Sequence, residues 1–172
     1  MTTLQHSFFE KVDSLSTGER AALRREAGNI LRQADGKAIA AFYKCLPSVV
    51  NDWQEERWFT VACNRCLWST DISEEEPVEK LLSELIRTEE ISNSIKHRVE
   101  LLLDSKWDPD GYMLVKLTRL IKLIRQKSDR KQIDSAKLLD DLLGWNLDSQ
   151  YVQRKWAKTI FSNNTYTEEK ER

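Results

Sequence analysis

Residues 114–125 read LVKLTRLIKLIR, and this stretch decides the fold class. At 100° per residue, its apolar positions fall on one side of a helix and its basic positions fall on the other. The apolar side carries Leu114, Leu117, Leu120, Ile121 and Ile124, and the basic side carries Lys116, Arg119, Lys122 and, beyond the stretch, Arg130. We therefore predict an amphipathic helix, opened by Asp108-Pro109, that buries its apolar face and directs its basic face to solvent.

Apolar residues recur at helical spacing along the rest of the chain, and local signals predict where helices begin or end. Ser16 to Glu19 forms a capping-box pattern, and the helix that it opens should run to about Asn29. Asp134 is a predicted cap, and Gly144 should end that helix in the left-handed conformation. No stretch alternates between apolar and polar residues as a half-buried strand does. The predicted fold class is all-α, a helical bundle of about eight or nine helices.

The length of the chain, 172 residues, suffices for one substantial core, because burial becomes efficient at this size. We predict a single helical domain over residues 1–161, with two possible lobes, 1–69 and 77–161. Residues 70–76 are acidic and would join those lobes as a linker. Residues 162–172 are polar without an apolar period, so we predict a flexible tail there.

The sequence also indicates a compartment. No apolar run is long enough to cross a bilayer, and the first residues lack both a basic leader and a signal-peptide core. The three cysteines are too few, and odd in number, for a secreted disulfide framework. We therefore expect a cytoplasmic protein.

The net charge is −1, from 27 Lys and Arg against 28 Asp and Glu, but the charges are segregated. Residues 116–131 hold seven bases and one acid, and residues 19–44 hold six bases and three acids. Residues 71–90 hold two bases and eight acids. The near-neutral total argues against a polycation that coats DNA unaided, whereas local basic faces suit contacts with phosphate. An ordinary solvated helix face has the same composition, so both interpretations stay open.

Cys63-Asn-Arg-Cys66 has the spacing of half a zinc knuckle or of a redox dithiol. A structural zinc site needs four ligands, and the remaining candidates, Cys45, His6 and His97, are not paired at ligand spacing. Two small buried thiols on a helix are the alternative that we favour. Neither histidine lies in a nucleophile motif, and the sequence has no glycine loop for phosphate. We expect no catalysis, no metal and no cofactor.

Six tryptophans are a second candidate surface for nucleic acid, because aromatic faces stack on unpaired bases. Trp58 and Trp145, however, stand among apolar neighbours at helical spacing. We expect these two side chains to pack in the core.

Leu15 to Arg25 resembles the Leu-x-x-Gly-x-x-Ala-x-Leu-Arg-Arg motif of the CasB family, the small subunit of the type I-E CRISPR Cascade. Ala41 to Lys44 is similar to the family's Ala-Phe-Tyr-basic segment, and Arg57 to Ala62 is similar to the helix that follows it. The C-terminal half matches in order through Arg98 to Leu103, Asp134 to Trp145 and a last helix ending in Phe161. The resemblance covers nearly the whole chain.

This resemblance implies an all-helical subunit without nuclease activity, packed as a dimer within Cascade. Its implied partners are the other Cascade subunits, the guide RNA and the target DNA, including the displaced strand that it holds in antiviral defence. Pairing between strands supplies sequence specificity in such complexes, so the protein needs only backbone contacts. The basic positions of the family carry over to Arg24, Arg25, Lys44, Arg57 and Arg154.

The basic faces and the resemblance together predict a set of nucleic-acid contacts. They are Arg20, Arg24, Arg25, Lys44, Arg57, Lys116, Arg119, Lys122, Arg154 and Lys155. A helical adaptor that binds only proteins is the alternative function. Such an adaptor would show no salt-dependent affinity for nucleic acid, and its exposed apolar patches would matter more than its arginines.

Overall fold

The computed structural model describes residues 2–88, 90, 92–128 and 130–162. Within those residues the chain forms nine α-helices, which confirms the all-α prediction. They are α1 (Thr3–Asp13), α2 (Thr17–Arg25), α3 (Gly36–Cys45), α4 (Asp52–Arg65), α5 (Val78–Thr88), α6 (Ser92–Leu103), α7 (Tyr112–Lys127), α8 (Ser135–Leu143) and α9 (Tyr151–Ala157).

Two shorter helical segments complete the helical structure of this part of the chain. A 3₁₀ turn spans Leu31–Gln33, and a π-helical turn, Lys158–Ser162, follows α9 directly. Among the described residues, no helix combines the length and the apolar character that a bilayer span requires. The predicted flexible tail, residues 162–172, lies outside the described residues except for its first position.

Two very short strands also pair in parallel, β1 (Glu75–Glu76) and β2 (Gln132–Ile133). Backbone hydrogen bonds of 2.9 and 2.8 Å, donated by the amides of Gln132 and Asp134, join them. A strand of two residues is too short to show a period of two, so the sequence pattern contains no sign of it. The pairing holds the end of the acidic segment 70–76 against the connection between α7 and α8.

Helix α7 buries the whole of its predicted apolar face. It begins at Tyr112 rather than at Asp108, because Gly111 first turns the chain in the left-handed conformation, at φ 81°. The glycine is also required by space, since a Cβ there would lie 2.8 Å from Ile30 Cγ2. Asp108 still caps the helix: its carboxylate accepts from the amides of Tyr112 and Met113 at 3.1 and 3.0 Å.

The capping predictions are confirmed for α2 and α8. The Glu19 amide donates to Ser16 Oγ at 3.2 Å, and the Ser16 amide donates to the Glu19 carboxylate at 3.0 Å. At α8, the Lys137 amide donates to Asp134 Oδ1 at 3.0 Å. These bonds join residues three apart, so local sequence is enough to predict them.

Two predicted helix ends are wrong. Helix α2 ends at Arg25 rather than near Asn29, and Gly28 then turns the chain in the left-handed conformation at φ 99°. Gly144 follows α8 at φ −95°, so the predicted left-handed end does not occur at that position. Its amide donates instead to Asp140 O at 3.1 Å, which continues the helical hydrogen bonds for one more residue.

One cluster of buried apolar side chains includes residues from all of the helices α1 to α9. Helix α4 packs most closely against α8 and also contacts α2 and α7. Trp58 and Trp145 are 4% and 0% exposed, so their predicted place in the core is confirmed. The cluster draws on both segments 1–69 and 77–161, and their organisation as separate lobes stays a prediction.

A buried arginine connects four parts of the chain. Arg65 on α4 donates to both carboxylate oxygens of Asp13 at 2.9 and 2.7 Å, to Glu75 at 3.0 Å and to Ser135 Oγ at 3.1 Å. Its guanidinium also lies over the ring of Phe9, 5.3 Å from the centroid. Because the partners belong to α1, β1 and the start of α8, one planar side chain joins all three to α4.

Candidate nucleic-acid interface

Residues of α6 and α7 line a groove of about 570 Å³, which we call the basic groove. Its cations are Arg98, Lys116, Arg119 and Lys122, and its other lining residues are Leu101, Leu120, Leu123 and Gln126. None of the described residues that line it is acidic. The groove therefore combines a single sign of charge with exposed apolar surface.

Helical periodicity places the cations of α7 along this groove. Lys116, Arg119 and Lys122 recur every three residues, with a rise of about 4.5 Å from one to the next. Lys116 Nζ donates to Ser105 Oγ at 2.8 Å, and Lys122 Nζ donates to Ala27 O at 3.3 Å. Both acceptors are neutral, so these bonds orient the ammonium groups without neutralising their charge.

The structure brings the basic end of α2 beside the basic groove. The hydrogen bond from Lys122 to Ala27 makes one connection, and Gly28 lies so near α7 that a Cβ there would touch it. Arg24 and Arg25 occupy the last turn of α2, immediately before this contact, and both are exposed. The two basic faces that the sequence predicts separately are therefore neighbours.

Two of the predicted contacts are engaged inside the protein. The Arg20 side chain is 14% exposed and donates to the carbonyl of Trp68 at 3.0 Å. Arg57 is buried, with its guanidinium 5.7 Å from the ring centroid of Trp53 and 5.0 Å from that of Trp107. Its Nε donates to the backbone of α8 at 2.9 Å. Both guanidinium groups bind internal partners, and their contact with nucleic acid stays a prediction.

Three further predicted contacts lie outside the lining of the basic groove. Lys44 is exposed and pairs with Glu19, and its hydrogen bond is the main cause that lowers the pKa of Glu19 to about 2. Lys155 Nζ donates to the buried Asp141 at 3.0 Å. Arg154 is exposed on α9. Contact of these three residues with nucleic acid stays a prediction.

Arg98 of α6 is a lining residue that sequence analysis does not select as a contact. Ile95, Val99 and Leu102 are buried, so the side of α6 that carries Arg98 and Leu101 faces outward. A helical projection of α6 reveals this much. That this side of α6 lies next to the cations of α7 depends on how the two helices pack, and the projection of a single helix cannot show it.

Cys63 and Cys66 are buried free thiols. Burial raises the pKa of Cys66 to about 11 and raises that of Cys63 well above its ordinary value. Both are therefore protonated at neutral pH, whereas metal binding and nucleophilic attack require the thiolate. In the part of the chain that the structure describes, no group of three or more His, Cys, Asp or Glu side chains is placed to hold a metal ion.

The family model for CRISPR-associated protein Cse2 matches residues 19–161. The fold is similar to that of CasB from M. ruber, with 20% identity, a TM-score of 0.74 and 98% of both chains covered. A Cse2-family protein from Thermus thermophilus is similar with 24% identity and a TM-score of 0.75, over 94% of this chain and 99% of that one. A chain of a CRISPR RNA-guided surveillance complex is similar with 21% identity and a TM-score of 0.74, over 98% and 99% of the two chains. No curated protein matches the sequence.

Proposed function

The chain belongs to the family of CRISPR-associated Cse2 proteins, and from this premise we propose that it is a non-catalytic subunit of a Cascade surveillance complex that holds nucleic acid by its backbone. The family model covers residues 19–161, and the solved structures of similar fold include CasB proteins. The resemblance to the CasB family is thereby confirmed.

The basic groove, with Arg24 and Arg25 beside it, is the observation that supports nucleic-acid binding. Lys and Arg bind phosphates regardless of the base that each phosphate carries. In an RNA-guided complex, base pairing reads the sequence, so a protein that stabilises strands needs backbone contacts alone. A row of cations with orienting but neutral hydrogen-bond partners suits that task.

In this proposal the subunit stabilises the duplex of guide RNA and target DNA and retains the displaced DNA strand, as part of antiviral defence. Its partners are the other Cascade subunits, both nucleic acids and a second copy of itself. Replacement of a DNA duplex by a guide–target duplex is nearly balanced in free energy. A few contacts with the displaced strand are therefore enough to favour opening of the target.

Charge reversal by Arg24→Glu together with Arg25→Glu, in a reconstituted complex, tests the proposal. Both side chains are exposed, the 3.9 Å ion pair of Arg25 with Asp35 lies at the surface, and the neighbouring Leu23 packs in the core, so the variant should fold and assemble. We expect it to open the target duplex less completely, because the displaced strand is repelled. Permanganate oxidation of unpaired thymines measures the opening. Lys11→Glu with Arg87→Glu is the matched control, since it makes the same charge change at exposed positions of α1 and α5.

Unchanged opening by an assembled Arg24→Glu, Arg25→Glu complex contradicts the proposed contact and favours the adaptor that binds only proteins. An equal loss in the control complex would attribute the effect to net charge rather than to this surface. A loss confined to the Arg24 and Arg25 variant supports the proposal.

A further inference from the structure

Tyr112 is the most exposed large apolar or aromatic side chain among the described residues, with 72% of its surface accessible. It occupies the first position of α7, and Lys116, Arg119 and Leu123 follow it at intervals of four, three and four residues. Residues at these intervals share one stripe of a helix. The other three line the basic groove, and Tyr112 continues their stripe beyond the lining residues, with its Cα about 6 Å along the axis from that of Lys116.

The basic groove also exposes apolar surface between its cations. Leu101 is 43% exposed and Leu123 is half-buried, and both line the groove. Phosphate oxygens bind charge and N–H donors and gain nothing from leucine side chains. An unpaired nucleotide, in contrast, presents a phosphate together with a flat apolar base face. The combination of charge and apolar surface therefore matches a single strand whose bases turn toward the protein.

We propose that Tyr112 is a base-stacking site, whose ring packs on one unpaired base while Lys116 and Arg119 bind the flanking phosphates. The inference rests on the proposed function and specifies its ligand as a single strand rather than a duplex, in which the base faces are already stacked. Every base has a π face, so such a site needs no particular sequence. The contact uses the ring and not the hydroxyl, so phenylalanine at this position should serve equally well.

The test compares the affinity of the full chain for a fluorescent twelve-nucleotide oligothymidylate and for an abasic sugar-phosphate strand of equal length, by anisotropy at low salt. Tyr112→Ala should bind the oligothymidylate about 5- to 150-fold more weakly, which corresponds to one base–aromatic stack of about 1–3 kcal/mol. On the abasic strand, Tyr112→Ala and the wild type should bind equally. Tyr112→Phe should retain wild-type affinity for both strands.

Tyr43→Ala is the matched control, since Tyr43 is 47% exposed but lies among carboxylates. Its hydroxyl donates to Glu55 at 2.6 Å, and this hydrogen bond is the main cause that raises the pKa of Tyr43 to about 12. Tyr43 lies on α3, away from the stripe of α7 that carries Lys116 and Arg119, so Tyr43→Ala should bind both strands as the wild type does. A loss at Tyr43→Ala equal to that at Tyr112→Ala would overturn the assignment.

The failures of the two proposals are distinguishable. If the wild type binds neither strand in a salt-dependent way, the proposed function and the stacking site fall together. If Arg119→Gln weakens binding while Tyr112→Ala does not, the result supports phosphate contacts in the groove and contradicts the stacking site. If Tyr112→Ala loses the same affinity for both strands, the ring acts by shaping the protein surface and not by stacking on a base, and the stacking site is also overturned.

Discussion

Neutralising two cations of the basic groove, by Arg119→Gln together with Lys122→Gln, will flatten the salt dependence of single-strand binding. Each phosphate contact contributes about −0.7 to the slope of log affinity against log salt concentration. If the four cations of the groove, Arg24 and Arg25 all contact phosphates, the slope reaches its limit of about −4. About four simultaneous contacts give a slope of about −3. Loss of two contacts makes the slope shallower by about 1.4, which corresponds to about 25-fold weaker binding at 0.1 M salt and little change at 1 M.

The shape of the groove should persist in this variant, because glutamine keeps an amide donor near Ala27 O, the acceptor of the Lys122 hydrogen bond. The assay is anisotropy of a labelled oligothymidylate over about 50 to 250 mM salt. Lys11→Gln with Arg87→Gln removes the same charge from exposed positions of α1 and α5 and serves as the control. A slope that stays at the wild-type value, or that falls equally in the control, would refute the assignment of phosphate contacts to this groove.

Three further predictions concern the buried Arg65, the two thiols and the pair of Lys44 with Glu19. Arg65→Met leaves the carboxylates of Asp13 and Glu75, which are 34% and 27% exposed, without their buried partner. We expect the free energy of unfolding, measured by urea denaturation, to fall by about 3 kcal/mol. A loss below about 1 kcal/mol would contradict this. Replacement of Cys63 and Cys66 by Ala should cost about 1–3 kcal/mol of stability and leave strand binding unchanged, whereas stoichiometric zinc in the purified protein would contradict their assignment as protonated thiols. The pKa of Glu19, lowered from 4.5 to about 2, implies stabilisation that is present above about pH 4.5 and is lost as the pH falls through about 2. Lys44→Met should raise that pKa toward 4.5 in a carboxyl NMR titration, and a wild-type Glu19 that already titrates near 4.5 would contradict the pairing.

The helix caps show which features of the fold can be predicted from neighbouring residues alone. Ser16 and Asp134 accept hydrogen bonds from amides three residues away, so the neighbouring sequence alone decides them. Gly144 is different, because glycine permits the left-handed conformation without requiring it. The next residue, Trp145, is fully buried, and its indole donates to the carbonyl of Ser105 at 2.9 Å. The chain after α8 thus makes a contact with a residue distant in sequence, and the local pattern at Gly144 could not reveal that contact.

The sequence by itself determined the helical class, the buried face of α7 and the presence of two basic segments, because helical periodicity is a property of consecutive residues. Only the tertiary structure decided which of these cations are buried and which are exposed. Arg24 and Arg57 both lie on helices, yet Arg24 is exposed while Arg57 is buried, with its guanidinium near the rings of Trp53 and of the distant Trp107. The basic groove has the same origin, since residues of both α6 and α7 line it. Such contacts join residues far apart in sequence, and their geometry depends on how the whole core packs.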